Sequence, residues 1–383
     1  MRVAFYAPMK APSHGTPSGD RRVAALYVEA LQEAGHRVEI VSTFSSYDAV
    51  GDGERQAALR AQGLALAAQL QKSLRADAWL TYHVYYKAPD WLGPSISRAL
   101  DIPYVIAEAS FAPKRAGGPW SIGHEGSADA IRLADLLICP TQFDIPTLTS
   151  LVADRSRIIV LPPFLDPRPF DAALDDRAAH RARFAAEHGT DAAVPWIAIA
   201  AMLREGDKAA SFLQLADVLR RIGDLPWQLL VAGDGPARGD IARALEGAAP
   251  GRIHMLGTLQ AQEVAALYAA SDICIWPAYN EAYGMAMLEA QAAGLPVISC
   301  HHRGVPDVVL DRRTGLLAPS GDIGALAQLA RELLVDPPRR AQLGREARRF
   351  IAVERSLPSA ALQLDRALAQ VQGRRREPAI RSN

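Results

Sequence analysis

The chain has 383 residues, and its 42 Lys and Arg residues balance its 42 Asp and Glu residues. This balance argues against nucleic acid, or electrostatic capture by a membrane, as the main partner. At this length two domains are expected, and 49% hydrophobic residues can bury a sheet in each. Three cysteines in apolar segments, without C-x-x-C spacing, predict buried reduced thiols instead of zinc ligands or disulfides: Cys139, Cys274 and Cys300.

The amino-terminal apolar run is too short for a signal peptide, and no later apolar run reaches the length that spans a bilayer. We therefore expect a cytoplasmic protein, with contact to the inner face of a membrane left open.

Short apolar runs alternate with helical or irregular segments through the first half of the chain. Residues 3–7 are a predicted strand, residues 20–34 carry apolar side chains at helical spacing, and residues 38–41 are the next strand. Further strands are predicted at residues 78–82, 104–107, 136–139 and 158–161. The alternation predicts an α/β fold with a parallel sheet.

A proline-rich stretch at residues 161–169 interrupts this alternation and predicts a connection between domains. Strands are predicted again at residues 196–201, 227–232, 253–256, 273–276 and 297–300. We predict four segments: a first domain at residues 1–163, a second domain at 164–354, a helix at about 355–372 that completes the first domain, and a basic tail at 373–383.

Two glutamates, Glu281 and Glu289, stand eight positions apart around Gly284. A helix that begins near Gly284 puts Glu289 in its second turn and leaves Glu281 in the loop, so the two cannot easily share a metal ion. They can bind two separate sets of hydroxyls. Between them, the N–H groups of Gly284, Met285 and Ala286 can bind phosphate. Groups that bind hydroxyls, then phosphate, then hydroxyls predict a sugar-nucleotide site. A core helix with two solvated glutamates also fits the pattern.

Two cations, Arg204 and Lys208, follow the predicted strand at residues 196–201. Arg204 can bind phosphate oxygens through two parallel donors, and Lys208 can act as a point charge. Open α/β sheets bind ligands at the carboxyl ends of their strands, so the pair extends the predicted phosphate site. Taken alone, an Arg and a Lys four positions apart are also typical of a solvated face.

A glycine-rich turn at residues 233–239 resembles a dinucleotide-binding fingerprint. Its third glycine falls one position late, Pro236 interrupts it, and no acidic residue ends the next predicted strand. These departures argue against an NAD site.

Taken in their order along the chain, these motifs resemble those of the GT-B-fold retaining glycosyltransferases of family 4, also called glycosyl transferases group 1. The resemblance covers most of the second half of the chain, from Arg204 to Leu317. It implies two Rossmann-like domains with parallel sheets facing a central cleft. It also implies that the second domain holds the donor, that the first holds the acceptor, and that no metal or cofactor is needed.

By this resemblance, Arg204 and Lys208 hold the diphosphate, and Glu281 binds the hydroxyls of the transferred sugar. These three are the implied catalytic residues. Glu289 binds the ribose, and the loop at residues 257–259 faces the base. The implied donor site as a whole consists of Gly19, Arg204, Lys208, Gly257, Thr258, Leu259, Glu281, Tyr283, Gly284, Met285, Ala286 and Glu289.

The loop after the first strand departs from the family pattern, which often has two adjacent glycines there. This chain reads His14-Gly15-Thr16-Pro17-Ser18-Gly19-Asp20, so Gly19 is the candidate phosphate contact. Asp20 would repel phosphate unless it turns away, and we expect it to cap the following helix.

The loops of the first domain that would contact the acceptor also depart from the family pattern. Many relatives place a histidine after the strand at residues 104–107, where this chain has Glu108. The candidate acceptor contacts are therefore Glu108, His83 and Lys114, although a lone histidine such as His83 is more often structural. Aromatic residues in the same loops could stack on a saccharide, face a lipid or belong to the core: Tyr82, Tyr85, Tyr86, Trp91, Phe111 and Trp120.

The sequence shows no convincing nucleophile, which favours front-face substitution with retention, in which the departing phosphate takes the acceptor's proton. We expect a hexosyltransferase-like enzyme that moves a sugar from a UDP- or GDP-sugar to a hydroxyl of a saccharide, a lipid-linked or a small-molecule acceptor. The alternatives are a sugar-nucleotide epimerase or hydrolase on the same fold, and a non-catalytic sugar-nucleotide-binding subunit.

Overall fold

The computed structural model of the protein describes residues 1–13, 15 and 18–376, without the side chains of Arg375 and Arg376. His14, Thr16 and Pro17 of the predicted phosphate loop, and residues 377–383 of the predicted tail, lie outside the described residues. The chain divides into two compact units. One combines Met1–Pro162 with the segment that starts at Leu357, and the other is Pro163–Ser356.

The described part of the first unit contains six strands: β1 (Arg2–Tyr6), β2 (Arg37–Ile40), β3 (Ala78–Val84), β4 (Tyr104–Ala109), β5 (Leu136–Cys139) and β6 (Ile158–Val160). They pair in parallel in the order β2-β1-β3-β4-β5-β6. Each predicted strand of this half is confirmed, with ends that differ by at most two residues. The inner strands are buried on both faces, which is why they read as unbroken apolar runs.

Helices cover this sheet: α1 (Gly19–Glu33), α2 (Gly53–Ser73), α3 (Gly93–Leu100), α4 (Ser121–Leu133) and α5 (Ile145–Leu148). Short 3-10 turns lie at Pro113–Arg115, Gln142–Asp144 and Arg155–Arg157. The apolar face predicted for α1 is buried, as at Leu26 and Leu31. The final helix of the chain, Leu357–Arg376, packs against α1 and extends into the segment predicted as a tail.

Asp90 is a fully buried carboxylate beneath α3. Its Oδ1 accepts the N–H groups of Leu92 and Gly93 at 2.9 and 2.8 Å, and its Oδ2 accepts the hydroxyls of Thr81 and Tyr104. Burial raises the pKa of Asp90 although these four hydrogen bonds oppose the rise. The carboxylate therefore ties the start of α3 to strands β3 and β4.

Asp90→Ala should lower the free energy of unfolding by about 3 kcal/mol or more, because four buried donors lose their acceptor. Urea denaturation followed by circular dichroism measures this change. The matched control is Asp129→Ala on α4, which removes an exposed carboxylate that pairs with Arg132. This change should lower the free energy of unfolding by less than about 1 kcal/mol. Equal stabilities of the two variants would show that the Asp90 network contributes little.

The described part of the second unit also contains six strands: β7 (Trp196–Ala200), β8 (Gln228–Ala232), β9 (Ile253–Gly257), β10 (Cys274–Trp276), β11 (Val297–His301) and β12 (Gly315–Pro319). Two parallel sets, β7-β8-β9 and β10-β11-β12, join through a parallel bridge between Ile197 and Ile273. The order across the unit is therefore β9-β8-β7-β10-β11-β12. The five predicted strands are confirmed, and β12 was missed.

In the second unit, two helices precede β7, single helices alternate with the strands from β7 to β12, and two helices follow β12: α6 (Arg168–Asp175), α7 (Arg177–His188), α8 (Asp207–Arg221), α9 (Arg238–Ala248), α10 (Ala261–Ala270), α11 (Met285–Ala292), α12 (Val305–Val308), α13 (Ile323–Val335) and α14 (Pro337–Glu354). The helix at the end of the chain, in the first unit, is α15 (Leu357–Arg376). The proline-rich stretch adds a parallel bridge between Leu165 and Ser356, next to the point where the chain leaves this unit.

All three cysteines are buried and free, as predicted. Burial raises the pKa of the Cys139 and Cys274 thiols to about 12. Such thiols stay protonated and unreactive at neutral pH. In the ranges that the structure covers, no helix is both long enough and apolar enough to cross a bilayer.

Candidate functional site

The sheet of the second unit reverses its strand order between β7 and β10, which are neighbours although β8 and β9 lie between them in the chain. Open parallel sheets bind ligands outside the carboxyl ends of the strands at such a point. The loop after β7 leads through Arg204 to Lys208 at the start of α8, and the loop after β10 contains Glu281. The three residues that the sequence implied to be catalytic thus follow the two strands that border this point.

Lys208 and Glu281 form an ion pair between Nζ and Oε2. Their side chains are 19% and 16% exposed, so the pair is sheltered and still reachable from solvent. Trp276 Nε1 donates to the same oxygen at 3.3 Å, and Lys208 Nζ lies 5.3 Å from the centre of the Trp276 ring. Within the described chain, Glu281 Oε1 has no hydrogen-bond partner. One carboxylate oxygen is therefore held by protein, and the other is available to a ligand hydroxyl.

The loop that carries Glu281 is held from two sides. Asn280 Nδ2 donates to Asp207 Oδ2 at 2.9 Å, and Arg303 Nη1 donates to Asn280 Oδ1 at 3.2 Å. Ala278 and Asn280 have left-handed φ angles of 58° and 50°, a strain that clusters at functional sites. Asp207 and Arg303 were not predicted from the sequence, because no local pattern links them to Asn280. The tolerance of asparagine for the left-handed region is the one signal that could have singled out Asn280.

Arg204 lies in the exposed loop between β7 and α8. Its guanidinium has no hydrogen-bond or ion-pair partner in the part of the chain that the structure describes. The backbone on each side is fixed, since the Leu203 N–H donates to the Asp234 carbonyl at 3.0 Å and Gly206, with φ of 78°, begins α8. An arginine on a fixed backbone with five free donors is suited to bind an anion.

The glycine-rich turn after β8 supports this loop. A Cβ at Gly233 would lie 1.9 Å from the carbonyl oxygen of Ala201, and a Cβ at Gly235 would lie 2.4 Å from that of Leu203. Only glycine allows the two backbones to approach so closely. The turn therefore has a structural role that does not depend on a dinucleotide.

Helix α11 begins next to Glu281, as predicted. Gly284 has φ of 79° and ψ of 82°, and no side chain caps the first turn of the helix. This positive φ favours glycine, whereas the nearest atom to a Cβ there, Met287 Cε at 2.4 Å, is the end of a flexible side chain. Met285 and Ala286 are partly exposed, and their N–H groups belong to the uncapped first turn. This geometry suits phosphate binding by the backbone.

Glu289 lies in the second turn of α11, as predicted, with a partly buried side chain. It is close to Tyr268 of α10. Burial, then the charges of Cys274 and Glu289, raise the pKa of the Tyr268 hydroxyl. Tyr283, implied as a donor contact, has only 9% of its surface exposed and packs into the core. Its ring is therefore a core side chain and not an exposed contact surface.

The predicted base-facing loop lies at the carboxyl end of β9. Gly257 has φ of 73°, and its carbonyl accepts the N–H of Gly233 at 2.7 Å, which joins this loop to the glycine-rich turn. Thr258 is exposed, whereas Leu259 packs partly against the core.

The sheet of the first unit reverses its order between β1 and β3. Two side chains meet at the corresponding strand ends: Asp20, near the start of α1, and His83, the second-to-last residue of β3. Asp20 Oδ1 lies 2.9 Å from His83 Nδ1. The expectation that Asp20 caps α1 was wrong, because Ser18 is the cap and its Oγ accepts the N–H of Arg21 at 3.2 Å. The carboxylate of Asp20 is free to bond His83 because serine takes the capping position.

The electrostatics of this pair favour the charged forms. Burial lowers the pKa of His83, but the charge of Glu108, the hydrogen bond and charge of Asp20, and the charge of Asp144 together raise it above its ordinary value. Burial raises the pKa of Asp20, but the hydrogen bond and charge of His83 outweigh burial and lower it. Both shifts stabilise the ion pair.

The three predicted acceptor contacts do not all come together. Glu108 has a left-handed φ of 59°, accepts the Tyr82 hydroxyl at 3.1 Å and acts on His83 through its charge. Lys114 is exposed in a 3-10 turn, and no described contact links it to His83 or Glu108. Gly19 is the first residue of α1 and has open space around it, so packing among the described residues does not require glycine there.

The aromatic residues of these loops form a continuous row. The His83 ring stacks on Tyr85 at 4.8 Å, Tyr85 meets the edge of Tyr86 at 5.5 Å, and Tyr86 meets Trp120 at 5.6 Å. Arg115 lies over both Tyr86 and Trp120. Tyr82 is core, whereas the row from His83 to Trp120 is only partly buried.

Across residues 1–13, 15 and 18–376, no three His, Cys, Asp or Glu side chains come together as metal ligands would.

Residues 195–336 match the family described as glycosyl transferases group 1. The chain is similar to a D-inositol 3-phosphate glycosyltransferase from Xylanimonas cellulosilytica, with 29% identity over 294 residues, 72% of this chain and 68% of that one. A protein of the same description from Streptomyces avermitilis is 28% identical over 71% of this chain, but only 59% of its own length is covered.

The fold is similar to that of two solved structures. One is sucrose-phosphate synthase from Thermosynechococcus elongatus, with a TM-score of 0.72, 18% identity, and coverage of 97% of this chain and 99% of that one. The other is HepE from Anabaena in complex with UDP-glucose, with a TM-score of 0.67, 16% identity, and coverage of 97% and 100%.

Two parallel α/β units, each with a reversal of strand order, together with these structural matches define the GT-B fold. The match of residues 195–336 to the glycosyl transferases group 1, the similarity to these glycosyltransferases and the fold together support a GT-B glycosyltransferase. The resemblance inferred from the sequence motifs is confirmed.

Proposed function

We propose that the second unit binds the donor, an NDP-sugar, at the end of β7 and β10. The ion pair of Lys208 and Glu281 carries this proposal, because it places a cation for phosphate beside a carboxylate oxygen that is open to a sugar hydroxyl. Arg204 and Lys208 would hold the diphosphate together with the N–H groups at the start of α11. Glu281 would bind the sugar, and Glu289 the ribose.

The donor is a UDP- or GDP-sugar in this proposal. HepE was solved with UDP-glucose, which supports a uridine donor by analogy of fold only. Arg204 is best suited to the diphosphate since it has five donors and no competing protein partner in the described chain. Lys208 would share its charge between Glu281 and phosphate, so donor binding would loosen the ion pair.

The first unit would hold a hydroxyl acceptor, namely a saccharide, a lipid-linked sugar or a small polyol. Glu108 and His83 lie at strand ends that border its order reversal, and the aromatic row from His83 to Trp120 offers surfaces that stack on sugar rings. Lys114, exposed near this row, would contact the acceptor only at its edge.

We further propose transfer with retention by front-face substitution, without a metal or cofactor. Arg204, Lys208 and the start of α11 would stabilise the charge that develops on the departing phosphate, which is the role a metal plays in other transferases. Proton NMR of the product should show the anomeric configuration of the donor. An excess of EDTA should leave the rate unchanged, and an inverted product or a rate lost to EDTA would contradict this mechanism.

A thermal-shift screen with UDP, GDP and their hexose conjugates tests the donor assignment. We expect one nucleotide series to raise the melting temperature of the wild type and of Arg243→Ala, a control that removes an exposed arginine from α9. The same ligands should stabilise Arg204→Ala much less.

Product analysis by mass spectrometry, with the stabilising donor and cell extract as the source of acceptor, then tests transfer. A glycosylated product supports the transferase. Free sugar or an epimerised donor formed without any acceptor would favour the hydrolase or epimerase, and donor binding without any product would favour a binding subunit.

A further inference from the structure

We propose that Asn280 is a positioning residue that holds the Glu281 carboxylate in place for the sugar of the donor. It thereby sets how much the sugar adds to the affinity of the nucleotide. This inference rests on the proposed function and uses contacts within the second unit alone. Asn280 itself would not bind the donor, since its side-chain amide is taken up by two protein partners.

The amide of Asn280 is bound on both sides. Its Nδ2 donates to Asp207 Oδ2 at 2.9 Å, and its Oδ1 accepts from Arg303 Nη1 at 3.2 Å. An ionised carboxylate only accepts hydrogen bonds and a guanidinium only donates them, so this position needs one donor and one acceptor together. Aspartate would lack the donor, and an aliphatic side chain would lack both.

The backbone of Asn280 adds a third requirement. Its φ of 50° is left-handed, and the nearby residues Ala278 and Arg303 have φ of 58° and 44°. Asparagine and aspartate visit this region more readily than other residues with a side chain. Strain of this kind persists where the surroundings hold the backbone. Asparagine suits the position because it combines the donor, the acceptor and the tolerance for a left-handed backbone.

Two adjacent residues of this loop bind two adjacent residues of α8. Asn280 bonds Asp207, and Glu281 pairs with Lys208. The Glu281 N–H also donates to the Ala278 carbonyl at 3.1 Å, which keeps the loop tightly turned between the two. A shift of Asn280 away from Asp207 would therefore move the Glu281 carboxylate relative to Lys208.

The contact between Asn280 and Asp207 matters most once the donor is bound. Phosphate would then draw the charge of Lys208 away from Glu281, and one restraint on the carboxylate would weaken. The hydrogen bond from Asn280 to Asp207 does not involve Lys208 and would remain. Glu281 could then meet the sugar hydroxyl without the cost of ordering its loop.

The test measures two affinities by calorimetry: that of the nucleoside diphosphate that binds the wild type, UDP or GDP, and that of its hexose conjugate. Asn280→Asp keeps the size of the side chain and its tolerance for the left-handed backbone, but it replaces the donor to Asp207 by a second carboxylate oxygen. Binding of the conjugate should weaken about tenfold, the size of one lost hydrogen bond, and that of the nucleoside diphosphate by less than about twofold.

Repulsion between the new carboxylate and phosphate would give a different pattern. The nucleoside diphosphate carries the larger negative charge, so repulsion would weaken its binding at least as much as that of the conjugate. Gln342→Glu is the matched control, because it makes the same change from amide to carboxylate at an exposed position of α14. It should keep both affinities of the wild type.

Exchange of the two side chains tests the contact itself. Asp207→Asn alone should bind the conjugate within about threefold of the wild type, because the Asn280 amide can still donate to the remaining oxygen. In the double variant Asp207→Asn/Asn280→Asp, the hydrogen bond runs from position 207 to position 280, and affinity for the conjugate should return to that of Asp207→Asn. In a Glu281→Ala background, Asn280→Asp should have no further effect, because it acts through that carboxylate.

Equal affinity of the wild type and Asn280→Asp for the conjugate would overturn the role of Asn280 while the donor site still stands. A loss that the exchange does not reverse, or that falls equally on the nucleoside diphosphate and the conjugate, would overturn it as well. A wild type that binds neither nucleotide nor either conjugate would instead overturn the proposed function, and this inference with it.

Discussion

Lys208→Ala and Glu281→Ala are each expected to lower turnover by about 10² or more, the size of a lost contact to charge in the transition state. Lys208 Nζ bonds the Glu281 carboxylate and lies over the Trp276 ring, so each substitution removes a ligand contact and also releases its partner. Steady-state rates with the donor that gives product measure kcat and KM of each variant. The loss should fall mainly on kcat for Lys208→Ala, since phosphate gains charge as it leaves.

The double variant should be less impaired than the product of the two single effects, because the residues touch and are coupled. Arg243→Ala, which removes an exposed arginine of the same unit, should keep the wild-type rate. Near-wild-type turnover in both Lys208→Ala and Glu281→Ala would contradict the assignment of the ion pair to the donor site.

Gly233→Ala is expected to lower the free energy of unfolding by about 3 kcal/mol or more, through backbone strain and a steric clash. The residue has φ of 138°, and a Cβ would lie 1.9 Å from the Ala201 carbonyl oxygen. Relief requires the turn after β8 to move away from the loop that leads to Arg204. Nucleotide affinity should therefore fall together with stability, as measured by urea denaturation and by calorimetry.

Gly247→Ala in α9 is the matched control, because nothing lies within 4 Å of its Cβ position. Alanine in a helix should leave stability unchanged or raise it by up to about 1 kcal/mol. If Gly233→Ala behaved like Gly247→Ala, the close approach of the two loops would not matter to the fold or the site.

The strands could be predicted from the sequence because parallel strands buried on both faces appear as short apolar runs. Residues 136–139 and 297–300 are examples, and both became strands with little change at their ends. Strand β12 was not predicted; its five residues begin with a glycine and end in a proline, two residues that are depleted in strands. Gly315 belongs there since a Cβ would lie 2.1 Å from the Val297 carbonyl oxygen, a contact that no local pattern reveals.

The placement of the proposed donor residues at strand ends was predictable because these residues form local motifs. Glu281 and the start of α11 lie in one short segment, and Arg204 and Lys208 lie in another. Both segments follow strands, and the carboxyl ends of parallel strands share one edge of a sheet. That reasoning predicted that the two segments lie close together, but it did not predict the ion pair between Lys208 and Glu281.

The pairing of Asp20 with His83 could not be predicted, since it joins residues 63 positions apart that share no motif. It depends on the strand order, which puts β3 beside β1 and brings the start of α1 to the end of β3. The cap prediction failed for a local reason. Ser18 and Asp20 are both good capping residues, and the helix begins one residue earlier than predicted.

The binding of a nucleoside diphosphate at the end of β7 and β10 can be measured most directly by calorimetric titration of UDP and of GDP into the wild type and Arg204→Ala. Arg204 is suited to this because its side chain has no protein partner in the described chain, so its removal breaks no internal bond. One nucleotide should bind the wild type and Arg243→Ala equally, and it should bind Arg204→Ala about tenfold more weakly or worse, the loss of one charge-assisted contact. Equal affinity for Arg204→Ala and the wild type, or no binding of either nucleotide, would contradict the donor site.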